Sequence, residues 1–82
     1  MAATADQQRL TAVLLDTIEE TAFPRAAELD RVERLISSRE ELEDYIGILL
    51  QKLDGQKYPH GPTIDRLERL IGLLQRLDQE AA

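Results

Sequence analysis

Apolar residues recur at intervals of three and four along four stretches of this chain, and all three prolines fall between those stretches. That interval is the period of an α-helix, in which side chains three and four apart share one face. No other feature limits the fold as strongly, and it predicts an all-α chain.

The breaks set the boundaries. A first helix is predicted over 6–21, with Leu10, Val13, Leu14, Thr17 and Ile18 on its apolar face, Leu15 off that face, and Thr4 or Asp6 available as N-cap. Phe23-Pro24 ends it, because the residue before proline is pushed out of the helical region. Phe23, the sole phenylalanine, is expected to anchor this corner in the core, and Pro24 can open a second helix over 25–36 with Leu29, Val32 and Ile36 on one face. Ser37 and Ser38 interrupt the pattern. Ser38-Arg39-Glu40-Glu41 matches a capping box and places a third helix at 39–53. A continuous helix through both serines is the competing reading, since serine inside a helix costs only a few tenths of a kcal/mol.

Asp54-Gly55 is expected to close the third helix, because glycine adopts the left-handed conformation of a C-terminal cap without strain. Gln56 to Pro62 reads as a loop, and Thr63 as the cap of a last helix over 64–79. The expected architecture is one domain over 1–82, a small three- to four-helix bundle ending in an antiparallel helical hairpin.

Size then matters. A chain of 82 residues buries only roughly 60% of its unfolded surface, so its stability is marginal unless something else contributes. Cysteine is absent, which removes disulfides and thiolate metal sites. Association with another chain is the remaining supplement.

The first, third and last predicted helices are apolar over more of their circumference than one core requires. At about 100° per residue, the last helix runs from Leu73 through Leu77, Leu70, Leu74 and Leu67 to Ile71 and Ile64, about half a turn. In the third, Leu42, Tyr45, Ile46, Leu49 and Leu53 form the main stripe, and Ile48 and Leu50 widen it on opposite sides. Helices apolar over half their circumference are usually covered on two sides.

The charge balance disfavours several functions. Sixteen acidic against ten basic residues give a net charge of −6, and arginines are interleaved with acids, which argues against nucleic acid and anionic membranes as partners. The longest apolar run, Ile46 to Leu50, is far too short to span a bilayer. Met1 to Asp6 lacks a basic region and no apolar segment follows, so cytoplasmic residence is the expectation.

No catalytic, cofactor or metal site is expected. Glu40, Glu41, Glu43 and Asp44 lie in a first helical turn, where carboxylates favour the helix dipole, and no Glu-x-x-His motif accompanies them. His60, the single histidine, reads as part of a turn with Tyr58. Asp30-Arg31-Val32-Glu33-Arg34-Leu35-Ile36 is echoed as Asp65-Arg66-Leu67-Glu68-Arg69-Leu70-Ile71, with Asp30–Arg34 and Asp65–Arg69 expected as i,i+4 ion pairs on solvated faces. Arg31, Arg34, Arg66 and Arg69 could instead ring an interface.

These features point to a non-enzymatic interaction module, an adaptor, regulator or co-chaperone-like subunit that forms a homodimer, binds a protein partner, or both. The expected contact surface is the terminal hairpin: Tyr45, Ile46, Ile48, Leu49, Leu50, Leu53, Leu67, Leu70, Leu73, Leu74 and Leu77. The alternative is an acidic, antitoxin-like inhibitor that blocks a basic site on a partner.

Overall fold

Four helices account for almost all of the computed structural model, which describes residues 4–21, 24–56 and 61–81. Helix α1 spans Ala5–Glu20, α2 Ala26–Leu35, α3 Arg39–Gln56 and α4 Gly61–Ala81. The all-α expectation holds, and no strand occurs among the described residues.

Local side-chain chemistry fixes three of the helix starts. Thr4 caps α1 in a reciprocal box: its hydroxyl accepts from the Gln7 amide at 3.1 Å, and the Gln7 side chain accepts from the Thr4 amide at 3.0 Å. At α2 the cap is Arg25, whose side chain has no acceptor to offer. Only half the box forms there, with the Glu28 carboxylate 3.4 Å from the Arg25 amide. Pro24 sits buried just before this cap, and not in the first turn.

The two serines do break the chain. Ser38 Oγ accepts from the Glu41 amide at 3.1 Å, while the Glu41 carboxylate reaches past Ser38 to the Ser37 amide at 2.9 Å. Ser37 and Ser38 therefore share the capping of α3, which also supplies a use for one carboxylate of the acidic cluster.

Two boundaries differ from expectation. Helix α3 continues through Asp54 and Gly55 to Gln56. Glycine permits a left-handed cap but does not impose one, and keeping it helical costs only about 1 kcal/mol. Helix α4 begins at Gly61 and not at Ile64, so Thr63 lies inside its first turn, 2% exposed, and is not a flanking cap. Pro62 fits this earlier start because first-turn amides have no intrahelical partner to lose. Phe23, Tyr58 and His60 lie outside the described residues, and so do the corner and turn roles expected of them.

Helix α3 is central. It pairs with α4 along one side and with α1 along another, while α2 packs on α1. Arg39 at the start of α3 forms an ion pair with Asp78 near the end of α4, so these two run antiparallel, as the hairpin expectation requires. Lys52 late in α3 bonds to carbonyls at the end of α1, so α1 and α3 run parallel.

The core draws on all four helices: Leu15, Ile18, Leu29, Val32, Leu42, Tyr45, Ile46, Leu49, Leu67 and Leu70. Helix α1 corrects the sequence reading. Its inward face is Thr11, Leu15 and Ile18, whereas Leu10, Val13 and Thr17 point to solvent. Both faces have helical spacing, and Thr11 decides between them by bonding the carbonyls of Gln7 and, across to α2, Leu35. The Cα envelope measures 37 × 29 × 18 Å, about two helix layers thick, so every helix keeps an outer face. No helix among the described residues is long and apolar enough to cross a membrane.

Candidate interaction surfaces

The echoed heptads meet across the fold. Arg66 of the second copy donates to Asp30 at 2.8 Å and to Glu33 at 2.5 Å, both in the first copy, and Arg69 lies 3.6 Å from Glu33. Ion pairing therefore runs between the copies and not along each helix, which replaces the expected Asp30–Arg34 and Asp65–Arg69 pairs. Arg31 and Arg34 stay exposed, while the Arg66 side chain is largely enclosed.

Tyr45 completes this network. Its ring is fully buried and its hydroxyl donates to Glu33 at 2.6 Å, joining α3 to α2. Burial, and then the hydrogen bond to the Glu33 carboxylate, push the phenol well above its ordinary pKa. Burial alone would lower the Arg66 pKa, but its bonds to Glu33 and Asp30 outweigh this and hold it above the usual arginine range. Every member has a partner, so the network fixes how α2, α3 and α4 sit and offers no free group for chemistry.

Of the eleven hairpin residues singled out, Tyr45, Ile46, Leu49, Leu67 and Leu70 lie in the core of the subunit, already covered by its own helices. Ile48, Leu53, Leu74 and Leu77 are half-buried against that core. Leu50 and Leu73 remain exposed, at 47% and 44%. Among the described residues, Leu10 at 48%, Val13 at 59% and Ile64 at 41% also stand in solvent. The sequence reading put Leu10 and Val13 on the apolar face of the first helix but not in solvent, because α1 offers two apolar faces and only packing shows which one is spare.

These residues define separate surfaces. A ridge on α1 carries Leu10 and Val13, with half-buried Leu14 beside them. A second patch lies on the α3/α4 hairpin away from α2, where helical angles place Leu50 and Ile64 on one flank. The third is a groove of 470 Å³ between the α2–α3 corner and α4. Its apolar lining is Ile36, Leu42, Leu70, Leu73 and Leu77, and Glu33, Ser37, Ser38 and Arg39 close its other side. A different groove, of 530 Å³, separates α1 from α3. Leu15, Gly47 and Ile48 contribute to its lining, along with the carboxylates Asp16, Glu19, Glu43 and Asp44. Glu43 is held by Arg39 at 2.7 Å, and among the described residues no three acidic or histidine side chains gather as a metal site would need.

Comparison with known proteins found no matching family model, no matching curated protein and no matching solved structure.

Proposed function

We propose that this chain is a non-enzymatic interaction module, an adaptor or regulatory subunit that works by packing apolar helix faces against a second copy of itself or a protein partner. The observation that carries this reading is the large apolar surface left after folding. Leu10, Val13, Leu50, Ile64 and Leu73 each keep 41–59% of their area in solvent. Arginines beside these patches set orientation more than affinity. Cytoplasmic residence suits a sequence without cysteine.

Light scattering on the wild-type protein over a dilution series tests this. A dimer or higher species that dissociates on dilution is expected. A strictly monomeric protein at every concentration would overturn self-association.

A second reading has one observation in its favour. The groove between α1 and α3 is edged by Asp16, Glu19, Glu43 and Asp44, which suits an inhibitor that fills a basic site on a partner. It requires binding to a basic peptide that weakens steeply with salt. Salt-insensitive binding, or none, would dispose of it.

A further inference from the structure

Helix α2 is the least anchored of the four. It spans 10 residues, buries only Leu29 and Val32, and starts at Arg25 with no side-chain cap. Helix α3, by contrast, buries Leu42, Tyr45, Ile46 and Leu49. Among the described residues the α2 backbone packs closely on α1 alone, and no Cα atom of α2 lies within 8 Å of one in α3 or α4. Long polar side chains bridge that distance: Tyr45 reaches Glu33 at 2.6 Å, and Arg66 reaches Asp30 at 2.8 Å and Glu33 at 2.5 Å. Beside them a groove of 470 Å³ stays open, with Glu33 and Ile36 on one side and Leu42, Leu70 and Leu73 on the other.

We propose that α2 is a latched cover: it melts away as a unit while α1, α3 and α4 stay assembled, and its bonds to Tyr45 and Arg66 set how often this happens. Opening uncovers a face of the α3/α4 hairpin that takes in Tyr45, Leu42 and Leu70 and adjoins Leu73. The inference goes beyond the interaction reading above and does not depend on self-association.

Length and packing support each part of this device. A helix as short as α2 is marginal in water once it leaves its partners, so it separates by unfolding and not as a rigid rod. The helical conformation already ends at Thr21 after α1 and at Ile36 after α2, so melting of α2 does not propagate along the chain. What remains is still joined. Lys52 ties α3 to the Glu19 and Thr21 carbonyls at the end of α1, and α3 keeps its packing on α4. Leu29, Val32 and the bond from Thr11 Oγ to the Leu35 carbonyl at 3.3 Å oppose release. Against them, the Glu33 carboxylate and the Arg66 guanidinium regain water when α2 leaves, which offsets part of the bonds lost. Elements with few buried apolar side chains open at lower free energy than the whole molecule. Tyr45, Leu42 and Leu70 are buried while α2 is in place, and Leu73 next to them is exposed already.

Amide hydrogen exchange on the full chain, read residue by residue by NMR at increasing urea below the unfolding transition, tests the assignment. The amides of Asp30 to Ile36 should exchange at least about tenfold faster than the slowest amides of α3, and with a shallower dependence on urea, since a partial opening exposes less surface than global unfolding. Leu53→Ala should speed exchange in α3 and α4 but leave α2 unchanged, because that part of the hairpin stays packed when α2 opens. Arg66→Leu should speed α2 exchange by at least about tenfold, the latch having lost its cation. One class of amides with a single urea slope, or equal acceleration of α2 by Leu53→Ala, would overturn the separate opening. Unchanged α2 exchange in Arg66→Leu would overturn the latch. The two classes of amides are expected in a monomer as well as in a dimer, so a failure of self-association leaves this inference standing.

Discussion

Glu33 accepts hydrogen bonds from Tyr45 and Arg66 while its side chain is only 18% exposed, so those partners offset the cost of enclosing it. A carboxylate in that position is costly once its main cation is removed. Arg66→Leu is therefore expected to lower stability by about 3 kcal/mol, read from urea unfolding at fixed protein concentration. Replacing the whole network, Glu33→Leu with Tyr45→Phe and Arg66→Leu, should recover most of that loss, because no uncompensated polar group is left inside. A triple variant as unstable as the single one would show that shape and not charge is what Arg66 supplies. Tyr45 gives a pH signature of its own. Its folded pKa is raised above the ordinary value of about 10, so its contribution is complete below that pH and is lost as pH climbs toward the folded value. In a Tyr58→Phe background, phenolate absorbance should appear together with loss of helicity, and phenolate formation in a fully helical protein would contradict it.

Helix ends are where the elements depend on one another. Helix α1 finishes in Glu19 and Glu20 with no basic residue in its last turn, an unfavourable match to the negative end of its dipole. Lys52 of α3 compensates, its Nζ 2.9 Å from the Glu19 carbonyl oxygen and 2.5 Å from that of Thr21. Lys52→Met keeps the apolar stem but removes the donor, and should destabilise by about 1–3 kcal/mol. Amide exchange should accelerate first in the last turn of α1, and uniform acceleration across all four helices would argue against a capping role. The break at Ser37 and Ser38 was legible because capping is settled within four residues. The C-terminal end of α3 and the start of α4 were not, because Gly55 and Thr63 each tolerate two conformations and their neighbours decide which is used.

At the scale of the molecule, a slab two helix layers thick leaves each helix with an outer face. The hairpin residues expected at the interface divide accordingly. Tyr45, Ile46, Leu49, Leu67 and Leu70 went into the core, and Leu50 and Leu73 stayed outside. Angular breadth alone told that there was apolar surface to spare, but not where. The Asp-Arg-x-Glu-Arg echo was visible in the sequence, yet its ion pairs form across the fold because α2 and α4 bring Glu33 and Arg66 within 2.5 Å.

The sequence by itself determined the all-α class, the capping signal at Ser37 and Ser38, the hairpin of α3 with α4, and the breadth of the apolar faces, while the structure settled that α2 and α3 are separate helices. Each of these depends on neighbours within a turn or two, or on composition summed along a helix. Tertiary structure alone decided that α1 turns Thr11, Leu15 and Ile18 inward, that Lys52 caps a distant helix, and that Glu33, Tyr45 and Arg66 share one buried network. Those outcomes require groups more than ten residues apart to meet, and helical periodicity is equally compatible with either face until they do.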